Sequence, residues 1–307
     1  MPDRIVRSGG VGRHPVRNYH RLFSAPDRDI LTFTRVSNEA RFCFSRVPYL
    51  PDRQSKFSAS LRPLAVTAVA LLLWYALSAA HVFRAVIVPS PGSVVRGFVE
   101  QASSGRLLDD IVASLLRVTV GFTLALMLGV PAGLALGLSA TARATVLPHV
   151  NFFRSLSSLA WIPFAIAWFG IGDASVIFLI FLGTFFSLVM AVCAAVANIP
   201  GIYFRAAADY GIRGIDLLTR VTLPAVMPQL ITSVRMLAGL AWVVVVAAEM
   251  VAAGSGGLGY AIYDARNGMR NDIVVVEMIV IGSIGVLLDR VLLSLTHLPS
   301  VRWGYER

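Results

Sequence analysis

A polar interruption at residues 203–224, set between long apolar runs at 175–197 and 225–253, constrains this chain more than any other feature. Runs of about 20 apolar residues cross a bilayer as helices, so the segment between them has to lie at a membrane surface. Within it, Ala206, Ala207 and Ala208 favour a short helix that another protein can approach closely. Gly211 supplies a stop where the backbone takes a positive φ. Ile215, Leu218 and Val221 then recur at near-helical spacing before Pro224, which suits the first turn of the next helix. Residues 198–224 read as a cytoplasmic docking element; the bland alternative is an amphipathic connector between two spans.

The same window gives six candidate spans, at 64–82, 111–138, 152–169, 175–197, 225–253 and 273–295. With 56% hydrophobic and 14% charged residues among 307, the chain lacks the polar surface of a soluble domain, and an all-α polytopic membrane protein follows. The net charge of +10 lies in an N-terminal arm and in loops, not among stacking aromatics, so it fits positive-inside topology and not nucleic-acid binding. Residues 1–60 hold eleven Lys/Arg against five acids and no apolar run of secretory length, the composition of a disordered cytoplasmic arm. A true start nearer Lys56 is the competing reading. With the arm inside, Arg143, Arg154, Arg205, Arg213, Arg220, Arg302 and Arg307 fall at or near the inner face, and both termini are cytoplasmic. The third span is the least apolar: Asn151, Arg154, Ser155, Ser157, Ser158, Pro148 and Pro163 interrupt it, so it has to be shielded by other helices or line a wet cavity. Gly121, Gly129, Ala132, Gly133 and Gly137 make the second span a close-packing helix.

Catalytic and metal chemistry find no support. His14, His20, His81, His149 and His297 are scattered, Cys43 and Cys193 have neither metal-ligand spacing nor redox neighbours, and no nucleophile elbow frames a serine. Residues 254–259 match G-x-G-x-x-G, but they follow an apolar helix without a βαβ unit and read as a glycine-rich turn between the fifth and sixth spans. No Walker A sequence occurs, so this chain is not expected to bind ATP.

Ionisable residues inside spans are costly and face protein or water. Arg117 lies about six residues inside the outer end of the second span, on the order of 9 Å deep at about 1.5 Å per residue. Glu249 and Glu277 each lie about four residues, on the order of 6 Å, below the outer ends of theirs. These three can meet, and the expectation is a buried pair of Arg117 with Glu249, or failing that with Glu277; direct substrate contact is the alternative. Arg235, nearer mid-depth, is either lining a pathway or paired. Asp289 and Arg290 approach the inner boundary, where snorkelling to water is the default.

The docking segment resembles the EAA loop of bacterial ABC-importer permeases, with Arg205-Ala206-Ala207 where the family commonly has Glu-Ala-Ala, then Gly211 and Leu223-Pro224 at family spacing. Pro89-Ser90-Pro91, Leu159-Ala160-Trp161-Ile162-Pro163, Trp168-Phe169-Gly170-Ile171-Gly172, Ala247-Ala248-Glu249 and Gly257-Leu258-Gly259-Tyr260 are similar to the nitrate, sulfonate, taurine and bicarbonate importers of that family. The resemblance runs from about residue 61 to the C-terminus and implies a type I permease fold over 61–307. It further implies a non-enzymatic subunit of the bacterial inner membrane whose loop couples to an ABC ATPase through Arg205, Ala206, Ala207, Asp209, Gly211, Asp216, Leu223 and Pro224. The remaining implied partners are a second permease copy and a periplasmic or lipid-anchored solute-binding protein, with ATP and Mg bound by the ATPase. The solute it implies is a small anion. An ion-gradient-driven carrier and a non-transporting scaffold are the alternatives.

Overall fold

The computed structural model describes residues 56–80 and 87–294, with side chains from Ala65 onward. Residues 1–55 of the basic arm, Cys43, and the terminal stretch with Arg302 and Arg307 lie outside the described residues, while Lys56–Ser60 form the first turns of a helix. The chain divides into two units, residues 1–65 and 66–307, and the second holds every element from Pro91 onward.

All described secondary structure is helical. After α1 (Lys56–Ala79) come α2 (Pro91–Ser103), α3 (Arg106–Leu138), α4 (Ala140–Ser155), α5 (Ile162–Phe169), α6 (Asp173–Ala197), α7 (Gly201–Asp209), α8 (Leu223–Ala252), α9 (Leu258–Asn267) and α10 (Asn271–Ser294). Four stretches are long and apolar enough to cross a membrane: α3, α6, Ile215–Ala252 and α10. The bent pair α4 and α5 makes a fifth, and Ala65–Ala79 is a shorter apolar helix. The Pro89-Ser90-Pro91 sequence starts α2, where the Ser90 hydroxyl accepts the Ser93 N–H at 3.2 Å and Pro91 occupies the first turn, which needs no donor.

The third expected span, 152–169, is not one helix. Helix α4 begins at Ala140, stops at Ser155, and meets the 3₁₀ turn Ser158–Trp161 and α5 at an angle of 82°. Leu156 and Ser157 are extended, with ψ of 129° and 128°. Pro163 has no N–H to give the Leu159 carbonyl and so suits the first turn of α5. The apolar window 152–169 merges the last turn of one helix with the next. Arg154, expected at the inner face, stands at the far end of α4.

Helix α6 is the centre of the bundle, and Val176, Leu179, Ile180, Leu188 and Val189 are fully or almost fully buried. Helix α3 lies along it in a fixed register. A methyl added to Gly121, Gly129, Gly133 or Gly137 would meet Ile180, Leu188, Val192 or Val196, each pair offset by the same 59 residues. The two helices therefore run parallel, which obliges α4 and α5 to cross back between them. In lipid no hydrophobic force joins helices, so this contact rests on van der Waals packing that bare backbone makes possible. At α8 and α10 the Trp242 indole donates to the Ile281 carbonyl at 3.1 Å.

Gly133→Val should be the most damaging small change in this interface, because its first added carbon would lie 2.6 Å from the Val192 Cβ and 2.9 Å from the Val189 carbonyl oxygen. We expect a loss of about 1–3 kcal/mol, read as a lowered midpoint of thermal aggregation in detergent. Gly92→Val, with nothing within 4 Å, serves as the control.

Candidate functional site

Two regions hold the expected site residues, one at each end of the bundle. At the first, Arg205, Ala206, Ala207 and Asp209 lie on α7, with Ala207 buried and the other three exposed. Helix α7 ends in a Schellman turn: Ile212 N–H donates to the Ala207 carbonyl at 2.9 Å and Gly211 N–H to the Ala208 carbonyl at 3.0 Å. Gly211 takes φ 71° in open space, so its requirement for glycine is conformational and not steric. Beyond it the turn Ile215–Leu217 passes into a π turn, Leu218–Thr222, where Leu223 N–H reaches back to the Leu218 carbonyl. Pro224 explains the wider turn, since its ring crowds the Arg220 carbonyl and it cannot donate to it. Asp216 and Arg220 form an exposed pair at 3.1 Å, one helical turn apart, a weak surface contact.

This end presents apolar surface outward. Tyr210 is 84% exposed and Ile215 80%, beside exposed Ile202 and Tyr203. A cavity of about 620 Å³ opens between α7 and the start of α8, lined by Tyr203, Ala206, Ala207, Tyr210, Ile212 and Pro224 among others. Arg205, Asp209 and Asp216 stand exposed and Leu223 is half-buried.

At the opposite end Arg117, 5% exposed, is surrounded by acceptors. Its Nη1 donates to Glu249 Oε1 at 2.8 Å and to the Gly256 carbonyl at 2.8 Å. Nη2 donates to the Ser255 carbonyl at 3.0 Å, and Nε to Asp173 Oδ1 at 2.8 Å. Glu249, wholly buried, also accepts from the Ser114 hydroxyl at 2.8 Å and from Gly259 N–H at 3.0 Å. Asp110 takes Gly257 N–H at 2.7 Å. The turn at 254–259 thus wraps the ion pair. A Cβ on Gly257 (φ 106°) would lie 2.5 Å from Arg117 Nη1 and 2.7 Å from the Glu249 carboxyl carbon, so only glycine fits.

Asp173, Ser114 and Asp110 were not among the sequence candidates. Asp173 begins a span directly after the Gly170-Ile171-Gly172 turn, and that position beside two glycines was the available signal. Arg235 pairs with Asp289, Nε to Oδ1 at 2.7 Å and Nη2 to Oδ2 at 2.8 Å, a bidentate contact joining α8 and α10 that replaces simple snorkelling of Asp289. Glu277 is wholly buried, and among the described residues neither carboxylate oxygen has a hydrogen-bond partner. Among exposed groups at the Arg117 end, Arg270 bonds Glu100 at 2.8 Å, and this hydrogen bond with its charge holds the Glu100 carboxyl below the usual carboxylate range.

Residues 125–296 match the family described as binding-protein-dependent transport system inner membrane component. A Methanocaldococcus jannaschii chain named as an ABC transporter permease protein is 36% identical over 74% of this chain and 86% of its own length. The taurine transport system permease protein TauC of Escherichia coli is 32% identical over 72% of this chain and 82% of its own. For the bicarbonate transport system permease protein CmpB of Synechococcus elongatus the values are 30%, 83% and 95%. Among solved structures, an inward-facing MetNI methionine ABC transporter superposes with a TM-score of 0.52 at 23% identity, covering 62% of this chain and 96% of that one. This last likeness establishes the type I permease fold.

Removing one member of the buried pair leaves the other charge desolvated. Glu249→Leu alone should cost about 3–5 kcal/mol and reduce folded protein in the membrane. Arg117→Leu with Glu249→Leu should recover part of that loss, the coupling being read from a double-mutant cycle of detergent unfolding midpoints. Strict additivity would rule out the energetic pairing.

Proposed function

Because the chain belongs to the family of binding-protein-dependent transport system inner membrane components, we propose that it is the permease subunit of an ATP-driven importer for a small anion of the sulfonate, taurine, nitrate or bicarbonate type. The named solutes of TauC and CmpB support the solute class. The observation that carries the coupling role is the α7 element: a short helix closed by a Schellman turn at Gly211, with Tyr210 and Ile215 projecting beside a cavity that a partner segment can fill. The Gly211 end is then cytoplasmic, as are both termini, and the Arg117 end faces outward toward a solute-binding protein. ATP and Mg belong to the ATPase that docks on α7, and a second copy of this chain completes the path. Closure of the ATPases would bias the bundle between inward-open and outward-open arrangements.

Bulk in the docking element tests this. Ala207→Trp and Gly211→Val should each reduce solute-stimulated ATP hydrolysis of the assembled complex at least about tenfold, the loss expected when an anchoring contact worth about 1.4 kcal/mol or more is removed. Membrane insertion should remain intact. Normal stimulation in both variants would remove the coupling assignment. The solute class is checked separately by thermal shift of the cognate binding protein with taurine, alkanesulfonates, nitrate and bicarbonate; stabilisation by sugars or amines alone would contradict it.

A further inference from the structure

Two guanidiniums within the bundle are saturated. Arg117 is enclosed by Glu249, Asp173 and two carbonyls, and Arg235 is held bidentate by Asp289. Arg154 differs. Among the described residues its guanidinium bonds the neutral Asn151 amide oxygen at 3.1 Å and no carboxylate, and the residue is exposed.

Its depth follows from its neighbours. The Phe153 ring stacks on Phe186 with centroids 5.3 Å apart, and Ser158 lies against Gly183. Gly183 is ten residues from Asp173 and fourteen from Ala197 along α6, about 15 Å and 21 Å from its two ends. Arg154 therefore stands near the middle of the membrane. There the chain is also interrupted: Ser155, Leu156 and Ser157 are exposed and the backbone at 156–157 is extended. Lipid tolerates neither a lone guanidinium nor non-helical backbone at that depth, whereas an aqueous path tolerates both.

The face continues along α4. Arg143, Leu147, Asn151 and Arg154 are spaced i, i+4, i+8 and i+11, one side of a helix. A groove of about 560 Å³ runs on that side, lined by Arg143, Leu147 and Asn151 with Met190 of α6. Its lining on α4 runs from Ala140 to Asn151, one turn short of Arg154.

We propose that Arg154, with the Ser157 hydroxyl at the break between α4 and α5, is the mid-membrane contact for a small oxyanion on the solute path. This rests on the reading of the chain as an anion permease. The guanidinium fork suits sulfonate, carboxylate or bicarbonate oxygens, and the Ser157 hydroxyl can donate to a remaining lone pair, whereas the Ser155 hydroxyl already donates to the Asn151 carbonyl at 2.9 Å. Arg117 and Arg235 are structural, since carboxylates already neutralise them.

The test uses the assembled transporter in vesicles, on a chain carrying Cys43→Ser and Cys193→Ala, with Ser157→Cys as reporter. Two thiol reagents of opposite charge are the probes: 2-sulfonatoethyl and 2-(trimethylammonio)ethyl methanethiosulfonate, each rate divided by its rate with free 2-mercaptoethanol. A cationic cleft concentrates counter-ions about tenfold or more, so the normalised sulfonate rate should exceed the ammonium rate by roughly that factor. Arg154→Gln should bring the ratio to about one, and Arg154→Lys should keep it above one. Equal rates in the Ser157→Cys chain, or no reaction with either reagent, would overturn the proposal even where Arg154→Gln does not assemble. ATP-driven uptake of labelled taurine and bicarbonate is measured alongside in the otherwise unaltered chain. If neither is transported, the solute assignment fails while the reagent ratio still decides the role of Arg154.

Discussion

One buried charge organises the Arg117 end of the molecule. A guanidinium removed from water has to find acceptors for donors on all three nitrogens, and here they come from the first residue of α6, the last turn of α8 and the carbonyls of the following loop. Glu249 in turn draws in Ser114 and the Gly259 amide, and Ser114 accepts Leu258 N–H at 2.9 Å. Three segments distant in sequence therefore converge because a single side chain cannot be left unsatisfied at that depth. The glycines at 256, 257 and 259 follow from this, as the loop must pass close to the pair and expose its backbone to it.

Away from that end, the α3–α6 contact sets how the bundle can deform. Four glycines spaced along α3 receive four large side chains of α6 in one register, so a slip by a single residue would drive Val192 and Val196 against new Cβ atoms. These two helices behave as one body. The α4–α5 corner is different, since no helical hydrogen bonds cross residues 156–157 and its outer surface is exposed.

Much of the fold was legible in the sequence because lipid imposes one rule, that backbone polar groups be satisfied within the segment, and long apolar runs obey it by becoming helices. The α6 run was read to within two residues at its start, and the Gly211 stop coincides with an observed positive φ. Hydropathy failed at 152–169, where a window of fixed length joined two helices across a serine-rich corner and placed Arg154 at a surface. Burial energetics pointed to Arg117 and Glu249 as members of one cluster, but nothing in a linear pattern says that Asp173, at the start of a span 56 positions later, completes it. The Arg235–Asp289 contact was missed for the same reason: depth along a helix can be counted, whereas the direction a side chain faces depends on packing.

The stretch Ile215–Ala252 is continuous helix over 38 residues. It begins beside the exposed Tyr210 and Ile215 surface and ends at Glu249, a rise of about 51 Å between positions 215 and 249. The wide turn at Leu218–Thr222 and Pro228 just beyond it are irregular places in the shaft, and both sit near its Ile215 tip. Above Pro228 the rod is stiff, so a tilt imposed there would reappear at the Arg117 knot.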